Sequence, residues 1–348
     1  MAHKIRFLMA FMFLIIPTAA SLAVAQANRP FYEGKTIRLI VQTGTGTTSD
    51  IAARVVAPHW TRHIPGNPNI VVQNMAGAGG IVAANYLYNI AKPDGLTIAT
   101  MGRANYLDQM VAKPEVKFDF RRFSWIGSFN RSPMMIACRT DSGYTTIESM
   151  RAAKSLPRFA DGATGSIGFV FSELVAAALN LKFKQILGFV GGGRALDLAI
   201  ERGEADCRAT SDITVIRPPW PGWVGKRFVS FVVQQGPKKS RLLPEEVPTV
   251  YGVAPPEAKP VLTLLDIMLA YTEFDRPYAA PPGVAAEQLQ ILRESFEKML
   301  HDPKFSADAK KIVDWDGSYL SGAQLQKKIE QTVTQPPEIL KRVKEILE

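Results

Sequence analysis

Apolar positions along this chain follow two rhythms. Short unbroken apolar runs of strand length alternate with stretches where apolar residues recur every three or four positions, the spacing of a half-buried helix. Residues 37–42 (Ile-Arg-Leu-Ile-Val-Gln) predict a buried strand. Gly44-Thr45-Gly46-Thr47-Thr48-Ser49-Asp50 follow, then a helix carrying Ile51, Val55 and Val56. The next unit repeats this grammar: Ile70-Val71-Val72-Gln73 as a strand, Gly77-Ala78-Gly79-Gly80 as a tight loop, residues 81–91 as a helix, and residues 97–101 as a third strand. The pattern restarts past residue 130. Residues 134–138 read as a strand and 146–154 as a helix, and the loop Gly162-Ala163-Thr164-Gly165-Ser166 opens a helix from Phe169 to Leu179. Gly191-Gly192-Gly193 precede a helix holding Leu196, Leu198 and Ile200, and residues 228–233 make a late strand. In the tail, Leu289, Leu292, Phe296 and Met299 form one stripe and Leu325, Ile329 and Val333 another, while Pro336-Pro337 open a last helix. These stripes read as core packing. Strands alternating with helices through short Gly-rich loops predict α/β layers with parallel strands, and the restart predicts two such lobes.

The first 27 residues are different. His3, Lys4 and Arg6 make a basic start, Phe7 to Ile16 run without a charge, and Ala23-Val24-Ala25 supply small residues. That order describes a cleavable secretory segment. The apolar run is too short for a helix spanning about 30 Å of hydrocarbon. A soluble periplasmic product of 321 residues (348 − 27) is therefore expected. That length exceeds what one core usually supports. The expected division is 28–134 plus 229–348 as the first lobe and 135–228 as the second.

The net charge is +9 for the whole chain and +7 once Lys4 and Arg6 leave with an acid-free leader. The bases are scattered, with no basic stripe interleaved with aromatics, which argues against nucleic-acid binding. A mild positive field would instead attract an anionic solute. Cys138 and Cys207 are the only two cysteines. An exported protein can pair them, and at this level a disulfide and two buried thiols both stay open.

The Gly-rich loops carry the candidate chemistry. Glycine lets backbone N–H groups approach a ligand, and a helix start adds unpaired donors and a partial positive charge, so each loop is a ready anion site. Gly44-x-Gly46-x-x-Ser49 approaches a dinucleotide fingerprint. However, the next strand ends in Gln73-Asn74 where that fingerprint needs an acid, and no Gly-Lys-Ser/Thr ending makes a P-loop. Catalysis has little to build on. Past the leader only His59, His63 and His301 remain, none beside a Ser or Cys motif. His59 and His63, four apart, could share a metal, but they lack an evident third ligand and read as a solvated surface pair. Glu173 and Asp197, inside predicted helices, read as surface charge. Asp50, in the first turn of its helix, reads as a cap that also orients the loop. Trp220 and Trp223 read as packing for a Pro-rich segment. No cofactor and no metal are expected.

In order along the chain, Lys35-Thr36-Ile37-Arg38-Leu39-Ile40-Val41, Ser49-Asp50-Ile51-Ala52-Ala53-Arg54, Asn74-x-x-Gly77-Ala78-Gly79-Gly80 and Pro93-Asp94-Gly95-x-Thr97 resemble the receptors of tripartite tricarboxylate transporters, the Bug or TctC-like solute-binding proteins. The likeness continues through Gly165-Ser166, Gly203-Glu204-Ala205-Asp206, Val247-Pro248-Thr249-Val250 and Ala280-Pro281-Pro282-Gly283. The resemblance implies a two-lobed periplasmic binding protein fold of type II-like build. It also implies a small organic carboxylate as ligand, a two-subunit membrane permease as partner, and no enzymatic activity. A monomer is expected. Carried over residue by residue, it assigns the acid to Thr45, Gly46, Thr47, Thr48, Ser49 and Asp50 and to Gly77, Ala78, Gly79 and Gly80. From the second lobe it adds Thr164, Gly165 and Ser166, with Thr210 and Ser211 after the returning strand. Gly191 and Gly192 stand where a Tyr-Lys-Gly-type segment is common, Phe169 where a His is often found, and the first loop is richer in threonine than is usual. The pocket should therefore differ in polarity from its relatives. Arg103, Arg194 and Arg208 are candidate partners for a second acidic group, with surface ion pairing as the plainer role. A ligand-sensing partner of a membrane signalling protein, or a periplasmic enzyme on the same scaffold, are the competing functions.

Overall fold

The computed structural model describes residues 29–347 apart from 163–165, 190–192 and 217–218. The expected leader lies outside the described residues, as do Thr164, Gly165, Gly191 and Gly192. In chain order the strands are β1 (Thr36–Val41), β2 (Asn69–Asn74), β3 (Thr97–Thr100), β4 (Ser124–Phe129), β5 (Met134–Arg139), β6 (Arg158–Ala160), β7 (Lys184–Ile186), β8 (Cys207–Ser211), β9 (Val229–Gln234), β10 (Pro277–Ala280) and β11 (Tyr319–Ser321). They form two sheets, ordered β11-β4-β10-β3-β1-β2 and β7-β6-β8-β5-β9. The longer helices are α1 (Thr48–Thr61), α2 (Ile81–Asn89), α3 (Ile167–Leu179), α4 (Gly193–Glu201), α5 (Lys259–Met268), α6 (Ala286–Leu300), α7 (Pro303–Val313), α8 (Gly322–Val333) and α9 (Pro337–Leu347). Among the described residues no helix is long and apolar enough to cross a membrane.

The fold is α/β and two-lobed, as the strand-loop-helix alternation predicts, but the sheets are mixed rather than parallel. β1 runs parallel to β2 and β3, whereas β10 and β11 enter antiparallel. In the second sheet β6 runs parallel to β7 and β8, while β5 lies antiparallel to both β8 and β9. β5 and β10 enter where the chain crosses between the sheets, whereas β9 and β11 are added within their own sheets. β10 and β11, four and three residues long, are weakly patterned, which hides them in the sequence.

One boundary differs from expectation. Residues 229–234, expected in the first lobe, form β9 at the edge of the second sheet, bonded to β5. The chain then stays on that side, with α5 packed against α3. It crosses back only at residues 269–276. The outward crossing, residues 130–133, lies beside the return: Ser132 N–H donates to the Thr272 carbonyl at 2.8 Å, and Gln235 Oε1 accepts from Met134 N–H and the Thr272 hydroxyl at 3.0 and 3.2 Å.

Each sheet is covered by helices whose apolar stripes face it. Ile37, Leu39 and Val41 of β1 join Val56 and Trp60 of α1 and Leu292, Phe296 and Met299 of α6 in one cluster, so the tail stripe is core. His59 is a correction. It is only 7% exposed and bonds Asp308 Oδ2 at 2.9 Å, while His63 bonds Asp302 Oδ2 at 3.0 Å. The pair fastens α1 to α7 instead of facing water. No group of three or more His, Cys, Asp or Glu residues among the described residues could hold a metal ion. Cys138 and Cys207 stand directly opposite each other on β5 and β8, both buried, and form a disulfide with Cα atoms 4.0 Å apart.

Candidate functional site

The loops after β1 and β2, the turn after β3 and the starts of α3 and α4 all open onto one cavity of about 1,090 Å³ between the two sheets. Each is built locally by recognisable chemistry. Thr47 caps α1 by accepting the Asp50 N–H, and its hydroxyl donates to the Gly44 carbonyl at 2.9 Å. Asp50 is 1% exposed and accepts from Gly46 N–H at 2.9 Å, Asn74 Nδ2 at 2.9 Å and Arg54 Nε at 3.1 Å. The Arg54 hydrogen bond is the largest of the causes that hold its carboxyl down at about 2. Asp50 thus ties the first loop to α1 and to the end of β2.

The second loop winds through residues 77–80 into α2. Gly80 caps that helix with φ of 100°, a left-handed conformation that favours glycine. Asn105 Nδ2 donates to the Gly79 carbonyl at 3.2 Å and so fixes the loop from beneath. Gly102 has to be glycine: a Cβ there would collide with Asn105 Oδ1 and sit 2.9 Å from the Gly79 carbonyl oxygen.

The opposite wall belongs to the second sheet. Ser166 caps α3, accepting from Phe169 N–H at 3.3 Å and donating to buried Asp161 Oδ1. Arg208 on β8 is 4% exposed and donates to Asp197 Oδ1 at 2.5 Å and to the Gly193 carbonyl at 2.7 Å. Burial pushes the Arg208 guanidinium down and the Asp197 carboxyl up, and their ion pair opposes both shifts. Trp220 Nε1–H donates to the same Asp197 oxygen at 3.1 Å, so Trp220 packs the wall without lining the cavity. The floor is the pair of crossings. Asp275 accepts from Arg103 Nη1 and from Arg276 N–H, both at 3.0 Å. Among the lining residues Arg103, Arg208 and Arg276 oppose Asp161 and Asp275, leaving one net positive charge (3 − 2). Arg208 Nε, Arg276 Nη1 and Asn130 Oδ1 are buried there without a hydrogen bond.

Of the residues singled out from sequence, Thr48, Ser49, Gly77, Ala78, Gly79, Gly80, Arg103, Ser166, Thr210 and Ser211 line this cavity. Thr45, Gly46, Thr47 and Asp50 do not; their polar groups are spent inside the loop. Asp197 is buried against Arg208 rather than being surface charge, whereas Glu173 is exposed. Arg208 is a buried wall residue and not a surface ion pair, and Arg194 is exposed and absent from the lining. Sequence reasoning passed over Gln42, Thr43, Asn130, Asp161, Tyr271, Asp275 and Arg276. Asp161 stands at the end of a strand before a Gly-rich loop, a position that could have flagged it. The 271–276 segment carries no pattern and comes to the cavity only through the crossing.

Comparison with known proteins agrees with the two-lobed fold. Residues 52–207 match the model of the tripartite tricarboxylate transporter family receptor, TctC. A UPF0065 protein of Bordetella bronchiseptica is 23% identical over 170 residues, 49% of either chain, so this chain spans about half the length of the curated relative it matches. Three solved structures share the fold. A TctC solute-binding protein from Polaromonas, without ligand, is 21% identical with a TM-score of 0.68, covering 91% of this chain and 99% of its own. MatC of Rhodopseudomonas palustris, solved with malate, is 18% identical with a TM-score of 0.54, covering 90% and 99%. A second R. palustris protein, solved with adipate, is 17% identical with a TM-score of 0.56, covering 90% and 97%. With its two mixed α/β sheets facing one cleft, the chain has the two-lobed fold of these solute-binding proteins, and its residues 52–207 are similar to the tripartite tricarboxylate transporter receptor family.

Proposed function

We propose that this protein captures a small organic carboxylate in the cleft between its lobes and performs no chemistry on it. The observation that carries the reading is the convergence on one net-positive cavity of two Gly-rich loops at helix starts and a buried arginine from the opposite lobe. Three or four charge-assisted bonds at ~1.5–3 kcal/mol each give a gross ~5–12 kcal/mol, and after the costs of binding micromolar affinity, about −8 kcal/mol, is reachable. The malate and adipate held by the two R. palustris neighbours support an acid as ligand. Thr48, Ser49 and Gly77–Gly80 would hold one carboxylate through backbone N–H groups, with Ser166, Thr210 and Ser211 facing it. Residues 130–133 and 269–276 would be the hinge about which the lobes close. A two-subunit membrane permease would receive the solute from a monomeric receptor in the periplasm.

The test is a thermal-shift screen against mono-, di- and tricarboxylates, aromatic acids, amino acids, sugars and nucleotides. A ligand at 100 times Kd adds about 2.7 kcal/mol of stability. A response confined to acids supports the reading. Silence toward every acid, with a clear response to a sugar or nucleotide, would overturn it.

A further inference from the structure

A second cavity of about 560 Å³ adjoins the cleft, and Arg103, Ala104, Ile167 and Tyr271 line both. Most of its remaining lining residues are apolar, among them Leu107, Val111, Val170, Met268 and Leu347, contributed by both lobes and the C-terminal helix. Besides Arg103, its charged lining residues are Asp108 and Lys113, which pair with each other at 2.6 Å, and Lys344. A volume of this size falls within the ~300–1,000 Å³ of ordinary small-molecule sites.

The partition between the two spaces is made of side chains suited to an amphipathic ligand. Arg103 is 41% exposed, bonded to Asp275 at 3.0 Å, with its guanidinium 5.4 Å from the centre of the Tyr271 ring. Arg103 is the exposed end of this pair, while buried Asp275 also accepts from the Arg276 N–H. On its cleft side lie Asn130, Ser132 and Arg276; on its other side lie the aliphatic walls. We propose that the second cavity takes the hydrocarbon tail, alkyl or aryl, of a monocarboxylate whose acid group sits in the main cleft. Arg103 and Tyr271 then form the neck between the two compartments. This inference rests on the reading of the main cleft as a carboxylate site.

The experiment is calorimetric titration of the full protein with unbranched monocarboxylates from acetate through decanoate. Once the chain is long enough to pass the neck, affinity should rise about fourfold per methylene, the worth of burying each one, until the cavity is full. Val111→Trp, at a half-buried position, and Leu347→Trp, near the chain end, should each abolish the gain for long acids and leave acetate binding unchanged. Short acids that bind with no gain from added methylenes would overturn the tail site and leave the carboxylate reading standing. A chain-length gain that survives both tryptophans would also overturn it. Silence toward the whole series together with every other acid would sink both.

Discussion

Asp50→Asn isolates the group that organises the first loop. Every atom bonded to its side chain is a donor: Gly46 N–H on Oδ2, Asn74 Nδ2 on Oδ1, and the Arg54 guanidinium across both. An asparagine keeps one acceptor and turns a donor toward the remaining partners. Losing one charged bond and leaving a buried N–H unmet costs ~2–4 kcal/mol by mutational precedent. Linkage gives an independent figure. Asp50 falls from 3.8 to about 2 on folding, and that shift at 1.36 kcal/mol per unit is worth about 2.5 kcal/mol at most. Arg54, the main cause, is 48% exposed, and solvent screening cuts the value to ~1–2 kcal/mol. Because the folded value is depressed, this stability is present above pH ~4 and is lost as pH falls toward 2. Urea melts of both proteins at steps between pH 7 and pH 2 supply the assay, since other carboxylates cancel in the difference. The expected result is a variant weaker by ~2–3 kcal/mol at neutral pH, with the gap closing between pH 4 and 2. A gap that stays constant with pH, or a variant as stable as the parent, would refute the assignment of Asp50 as a charged loop tie.

Other consequences follow from the same geometry. Gly102→Ala should displace Asn105 and with it the Gly79 carbonyl, weakening acid binding at least tenfold, about 1.4 kcal/mol, in a folded protein; unchanged affinity by titration would contradict the support role of Asn105. Arg208→Met should destabilise by ~3–5 kcal/mol because Asp197 is left buried without its counter-charge, and adding Asp197→Leu should recover much of that loss in denaturant melts. Reducing the Cys138–Cys207 bond releases a loop with a sequence separation of 69, which the chain-entropy account values at ~4 kcal/mol, so the reduced protein should melt well below the oxidised one in a calorimetric scan.

The two lobes and the loops were legible because each rests on a local signal. Glycine and small hydroxyl residues follow apolar runs at residues 44–50 and 77–80, and strand, turn and helix there occupy adjacent stretches of sequence. Features set by long-range pairing were not legible. β9 reads as a strand but joins the second sheet only because β5 has a free edge, and no residue within 229–234 announces that. Asp197 and Arg208 look like surface charges in isolation, since their partners are each other, the Gly193 carbonyl and Trp220 rather than a local pattern. His59 likewise acquires its partner, Asp308, from 249 positions away. Arg276 and Asp275 reach the cleft because a patternless segment happens to be the return crossing.

The most direct test of the central claim is to titrate the protein calorimetrically with the acid that best raises its melting temperature, then recover the ligand and record its NMR spectrum after prolonged incubation. The account predicts saturable heat with one acid bound per chain, abolished by closing the cleft with Ser166→Trp, and a recovered ligand identical to the one added. Absence of heat with every acid, or a ligand returned chemically altered, would contradict it.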